Sequence, residues 1–215
     1  MSTPTGRSTR AQRTADPRPS PARVTHSRRV KWRRRALVVA ILGAGLASGL
    51  SRIDVEKAIQ EITLPLQHED IIRQQAHEKN LDPALVAAVI YAESRFRDQE
   101  SNAGAIGLMQ VTPKTAHYIE RLSGGTTFVT SDLTDPQINI SYGCYYLRHL
   151  LDHYGDNEVA ALAAYNAGTS NVDAWGGSAV TLDRIRFSET RAYVEEVMSK
   201  RDDYASKYRS ELGLS

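Results

Sequence analysis

From Leu85 to Ala92 the chain carries no charged or strongly polar group except the Tyr91 hydroxyl. Asp82-Pro83 stands immediately before this run, a capping side chain followed by a proline at the first helical position, where its missing N–H costs nothing. The run is therefore predicted as a helix that is apolar around its whole circumference. Such a helix has no face to offer to water, so other elements must enclose it. Asp135-Pro136 marks a second helix start of the same kind, and strand-like alternation is scarce from residue 52 onward. The expected fold class is all-α, with helices at 52–61, 68–79, 83–95, 105–110, 113–122, 136–153, 156–167, 169–175 and 189–208. Gly124-Gly125 and Gly176-Gly177 open polar stretches, through Asp132 and to about Ser188, that read as loops able to hold a ligand.

Glu93 follows the apolar run directly. Ile90, Val89 and Val86 lie three, four and seven residues before it, which puts the carboxyl group on a face of branched aliphatic side chains. Desolvation disfavours the anion there, so the pKa is expected to be raised, as a general acid requires. The competing structural reading is a glutamate that pairs with Arg95 or Arg97 at the helix end.

The first fifty residues obey different rules. Residues 1–35 hold eleven Lys/Arg and a single acid, Asp16, although the whole chain has a net charge of only +2. Ser, Thr, Pro, Arg and Ala dominate them, and a disordered basic tail is expected. Residues 36–51 are uncharged and end at Arg52. As a helix they would rise about 24 Å, slightly short of a hydrocarbon layer of roughly 30 Å. They read as a short hydrophobic signal-peptide or signal-anchor helix, with the basic tail left in the cytoplasm and the rest exported. Membrane contact through 36–51 explains the basic cluster without a nucleic-acid partner. The expected layout is a tail at 1–35, the signal or anchor at 36–51, a leading helix and linker at 52–67 and a catalytic domain at 68–210, acting as a monomer. Cys144, the single cysteine, sits among apolar positions and is expected to be an inert buried thiol.

Three constellations narrow the function. Glu93-Ser94-Arg95-Phe96 is followed by Gly104-Ala105-Ile106-Gly107-Leu108-Met109-Gln110, and later by Ala164-Tyr165-Asn166-Ala167-Gly168. Between and after them come Pro113-x-Thr115-Ala116, the run Asp135 to Ile140 leading to Gly143 and Tyr146-Leu147, and Glu189-Thr190-Arg191-x-Tyr193-Val194. This ordered set, covering roughly residues 68–200, resembles the transglycosylase SLT domain, family 1 of the lytic transglycosylases. That family is related in fold to goose-type lysozyme.

The resemblance implies a lysozyme-like helical domain that acts on the glycan strands of bacterial peptidoglycan with no metal or organic cofactor. It implies that Glu93 is the single acid and base. Tyr165 would point toward Glu93, Asn166 would support the same wall, and Ser101, Met109, Gln110 and Glu189 would contact substrate. Gly104 and Gly107 would let backbone and sugar approach closely. For Met109 the alternative is core packing, for Asn166 a helix cap, and for Glu189 a structural place at the start of the last helix. Between Glu93 and Gly104 the chain is one residue shorter than the common family pattern and lacks its frequent proline, which bears on the match of Ser101.

Most glycoside hydrolases need two carboxylates. Asp98, Glu100, Asp132 and Asp135 all stand in contexts that read as loops or caps, so Glu93 has no obvious acidic companion. The family's chemistry implies that Glu93 protonates the oxygen joining N-acetylmuramic acid to N-acetylglucosamine. It then takes a proton from the muramyl C6 hydroxyl, which closes to a 1,6-anhydro end. The alternatives are a goose-type muramidase that uses water, and a glycan-binding module without catalysis.

Overall fold

The computed structural model describes Ile59 and residues 61–214, which lie in one compact unit, Glu56–Ser215. The expected tail, the hydrophobic helix at 36–51 and most of the leading helix at 52–61 lie outside the described residues. Ile59 and residues 61–63 are helical. Seven α-helices follow: α1 (Glu69–Glu78), α2 (Pro83–Ser94), α3 (Pro113–Ser123), α4 (Pro136–His153), α5 (Glu158–Ala167), α6 (Thr169–Trp175) and α7 (Ser188–Lys207). Short 3-10 turns at Thr130–Thr134, Gly177–Ala179 and Leu182–Arg184 interrupt the two expected loops. No strand occurs among the described residues, and the all-α expectation is met. None of their helices is long and apolar enough to cross a membrane.

The caps act as the sequence implies. Asp82 accepts a hydrogen bond from the Ala84 amide at 2.8 Å, and Asp135 accepts from Gln137 and Ile138 at 2.7 and 3.3 Å. Thr112 and Asn157 cap α3 and α5 in the same manner, each bonding the amide three residues on.

Helix α2 is the enclosed centre: every residue from Ala84 to Ile90 is buried. It packs chiefly against α7, with α1 on another side. Alanines 160, 161, 163 and 164 are all fully buried in α5, and their small side chains bring that helix close to α4 and α7. Tyr204 and Tyr208 of the C-terminal segment reach back to the carbonyls of Pro65 and Leu64, at 2.6 and 2.7 Å. Cys144 is fully buried, and burial pushes its thiol up to about 12, which makes it inert at neutral pH.

One expected helix is absent. Residues 105–110 form tight turns in which Ile106 pairs with both Glu100 and Val111 as isolated bridges. Gly104, Gly107 and Gln110 have φ of 76°, 76° and 48°, left-handed values that no right-handed helix accommodates. The apolar pair Leu108-Met109 imitates helical spacing, but its glycines place it in a folded loop.

Candidate active site

Glu93 lies in the last turn of α2, one residue before its end at Ser94. The helix closes with Arg95 and Phe96 both in the left-handed region, at φ 57° and 58°. Two successive non-glycine residues there cost about 1 kcal/mol or more each. Burial of the Phe96 ring, which packs against Tyr204 at 6.1 Å, supplies the compensation and turns the chain away sharply behind the carboxyl group.

The carboxyl group is half-buried, and burial pushes its pKa up from 4.5 to about 7. Opposing this, the Tyr193 hydroxyl donates a 2.8 Å hydrogen bond to Oε1 and favours the anion. Arg95 does not pair with Glu93: its guanidinium meets Glu196 at 2.7 Å. Arg97 donates instead to the Ser94 carbonyl. The expected rise is therefore present, and the pairing alternative is not realised.

Tyr165 lies in electrostatic reach of Glu93, and burial, followed by that carboxylate, pushes its phenol well above the ordinary value. Its hydroxyl donates to the Met109 carbonyl at 2.9 Å, so its own bond holds the 104–111 loop. Tyr193 is the side chain bonded to the acid. The segment Glu189-Thr190-Arg191-x-Tyr193-Val194 includes it without assigning it a role, and periodicity along α7 adds a hint, since Thr190, Tyr193 and Val197 share one face and Thr190 and Val197 are buried. Nothing local says that a residue a hundred positions away completes the site.

The remaining candidates separate into wall and scaffold. Met109 is fully buried, so its side chain takes the core alternative and presents no surface to a sugar. Gln110 donates through Nε2 to the carbonyls of Gln99 and Gly107, at 3.0 and 2.8 Å, which pins the loop and leaves the amide oxygen as its remaining recognition group. Ser101 Oγ accepts from the Ala105 amide at 3.0 Å. Asn166 accepts from Thr190 Oγ1 at 2.8 Å, joining the end of α5 to the start of α7. Glu189 is exposed in the first turn of α7.

Gly107 and Gly104 differ in what surrounds them. A side chain on Gly107 would meet Asn139 Cγ at 2.6 Å and the Leu133 carbonyl at 2.9 Å, so its close approach is internal. Gly104 has open space around it and keeps the expected freedom. Asn139 is the fastener that sequence reasoning passed over. Its buried amide accepts from Met109 N at 2.8 Å and donates to the carbonyls of Ile106 and Leu133 at 2.8 and 2.9 Å.

Among the described residues no second carboxyl group figures among those that shift Glu93. Asp135 caps α4, Asp132 accepts from the Val129 amide, and Glu100 pairs through its backbone with Ile106. No group of three or more His, Cys, Asp or Glu among these residues is placed to hold a metal ion.

Residues 70–187 match the family model described as the transglycosylase SLT domain. The chain belongs to the transglycosylase SLT family. A soluble lytic murein transglycosylase of Escherichia coli is 33% identical over 162 residues, covering 71% of this chain and 24% of that protein. Among solved structures, the lytic transglycosylase Slt of Pseudomonas aeruginosa, in an inactive mutant form with glutamine in place of a glutamate, matches with a TM-score of 0.67 and 28% identity. That match covers 80% of this chain and 30% of the other. The 70 kDa soluble lytic transglycosylase of Escherichia coli matches with a TM-score of 0.65 and 27% identity, over 87% of this chain and 31% of the other. The SLT chain thus spans about a quarter to a third of the length of these relatives. Its helical domain has the lysozyme-like architecture that the motifs imply.

Proposed function

We propose that this SLT-family chain is a peptidoglycan lytic transglycosylase that cleaves the linkage between N-acetylmuramic acid and N-acetylglucosamine and leaves 1,6-anhydro ends. The observation that carries the proposal is the Glu93 carboxyl group, poised near neutrality by burial and held by one phenol. With a pKa of about 7 it is present in both forms at neutral pH, so one group can serve as acid and then as base.

Protonated Glu93 gives its proton to the glycosidic oxygen as the bond to the anomeric carbon breaks. The carboxylate left behind is the form that the Tyr193 hydroxyl stabilises. It next accepts the proton of the muramyl C6 hydroxyl, whose oxygen bonds to the anomeric carbon. Attack from within the same sugar makes orientation a large part of the rate, and no second carboxylate is called for. Tyr165, anchored to the Met109 carbonyl, forms a rigid wall beside the acid. Ser101, the amide oxygen of Gln110, Asn166 and Glu189 are the proposed sugar contacts. Residues 36–51 are proposed to carry the domain across the cytoplasmic membrane, as a retained anchor or a cleaved signal.

Mass spectrometry of the fragments released from purified sacculi tests the reading. The expected products carry anhydromuramic ends. Reducing muramic ends would instead identify a hydrolase, and intact sacculi a module without catalysis.

A further inference from the structure

An acid that must hold its proton near pH 7 cannot tolerate a free cation beside it, and the chain places one two residues away. An opposite charge within about 4–6 Å commonly lowers a carboxyl pKa by about one to three pH units. Arg95 nevertheless faces elsewhere. Its Nη2 meets Glu196 Oε1 at 2.7 Å, and its Nη1 donates to the Tyr91 carbonyl at 3.0 Å. The guanidinium carbon lies 4.1 Å from the centre of the Tyr91 ring. Its charge acts on the Tyr204 phenol, whereas burial and the Tyr193 hydrogen bond are what shift the Glu93 carboxyl group.

Tyr91 is itself fixed, through its hydroxyl to the Thr63 carbonyl at 3.3 Å and through its ring to Tyr204 at 6.3 Å. Lys200 shares that ring, 5.4 Å from its centre, and is drawn away by Asp203. Glu196 follows Tyr193 by three residues on α7, so one helix face delivers both the phenol for the acid and the anion for the cation. The other groups around Glu93 are Tyr193 from α7 and Tyr165 from α5; Arg97 is occupied at the Ser94 carbonyl.

We propose that Glu196 is a positioning residue for the reaction, which holds Arg95 over the Tyr91 ring and thereby keeps that cation off the Glu93 carboxylate. This role rests on the reading of Glu93 as the acid and base. As a surface ion pair, Arg95–Glu196 would contribute little to stability. Its consequence lies in where the charge is parked.

The test uses the full chain and soluble glycan strands, with kcat and KM measured from pH 5 to pH 9 for Glu196→Ala, Arg95→Ala and the double variant. Release of Arg95 toward Glu93, at about one pH unit, lowers the protonated fraction roughly fivefold at pH 7 and less at pH 5. The expected result is that fall in kcat for Glu196→Ala, an alkaline limb moved to lower pH and KM within twofold. Arg95→Ala is expected within twofold of the parent, and the double variant restored to the Arg95→Ala level. Restoration by removing the cation is what a merely structural glutamate would not show. A Glu196→Ala profile equal to the parent's, or a double variant as impaired as Glu196→Ala, overturns the proposal. If Glu196→Ala melts below the assay temperature, Glu196→Gln replaces it, with the same requirement for suppression by Arg95→Ala. A parent chain that leaves the strands uncut would defeat the transglycosylase reading itself, a result distinct from either of these.

Discussion

Replacing Glu93 by Gln should make the domain more stable, by an amount that grows as pH rises above about 4.5 and levels off just above 7. Burial raises the carboxyl pKa from 4.5 to about 7, so the folded state resists ionisation that the unfolded chain accepts freely. For a carboxyl group raised in this way the sign is opposite to that of a salt-bridged one. No penalty exists below the unfolded value; it accumulates as pH rises from about 4.5 and is complete just above 7. At 1.36 kcal/mol per pH unit the full penalty is about 3 kcal/mol, and the partial exposure of the group reduces it to roughly 2 kcal/mol. Glutamine keeps the shape and can still accept the Tyr193 hydrogen bond, so the variant isolates the charge. For a domain of this size roughly 2 kcal/mol corresponds to a rise in Tm of about 4–8 °C. Thermal unfolding of parent and variant at pH 4.5 and pH 8 measures it, with coincident melts expected at the lower pH. An equal Tm difference at both values, or a less stable variant at pH 8, would refute the claim that Glu93 is a desolvated acid. The same variant should release no fragments from sacculi.

Three further outcomes follow from the same contacts. Tyr193→Phe removes the bond that favours the Glu93 anion, so the pKa should climb further above 7 and the alkaline limb of kcat should move up by about one pH unit, as pH–rate profiles would show. Asn139→Ala leaves one amide and two carbonyls of the 104–111 region and the neighbouring turn without their partner, and should cost about 3 kcal/mol in urea unfolding. Gly143→Ala would place a methyl group 2.7 Å from Met109 Cβ, a loss of about 1–3 kcal/mol that a shorter residue at 109 should partly recover in a double variant.

The helical frame was legible because its signals are local. A capping aspartate before a proline marks α2 and α4, and the apolar run of α2 demands burial whatever surrounds it. The raised pKa of Glu93 was legible for the same reason, since a helix that must be buried carries a carboxyl group in its last turn into burial with it. What escaped is set by distance along the chain or by backbone conformation. Tyr193 reaches Glu93 across a hundred residues, and Asn139 ties a loop thirty residues before it; neither bond leaves a local trace. The 105–110 segment has the apolar pair Leu108-Met109 of a helix, but Gly104 and Gly107 in left-handed conformations make it a folded loop.

The tyrosine opposite the acid hangs from a peptide oxygen, and every amino acid at position 109 would supply that atom. Mutation can therefore rewrite the methionine, within the space that Gly143 leaves, without deleting the strut that steadies the aromatic ring. Heritable variation at 109 should register as altered packing before it registers as altered chemistry.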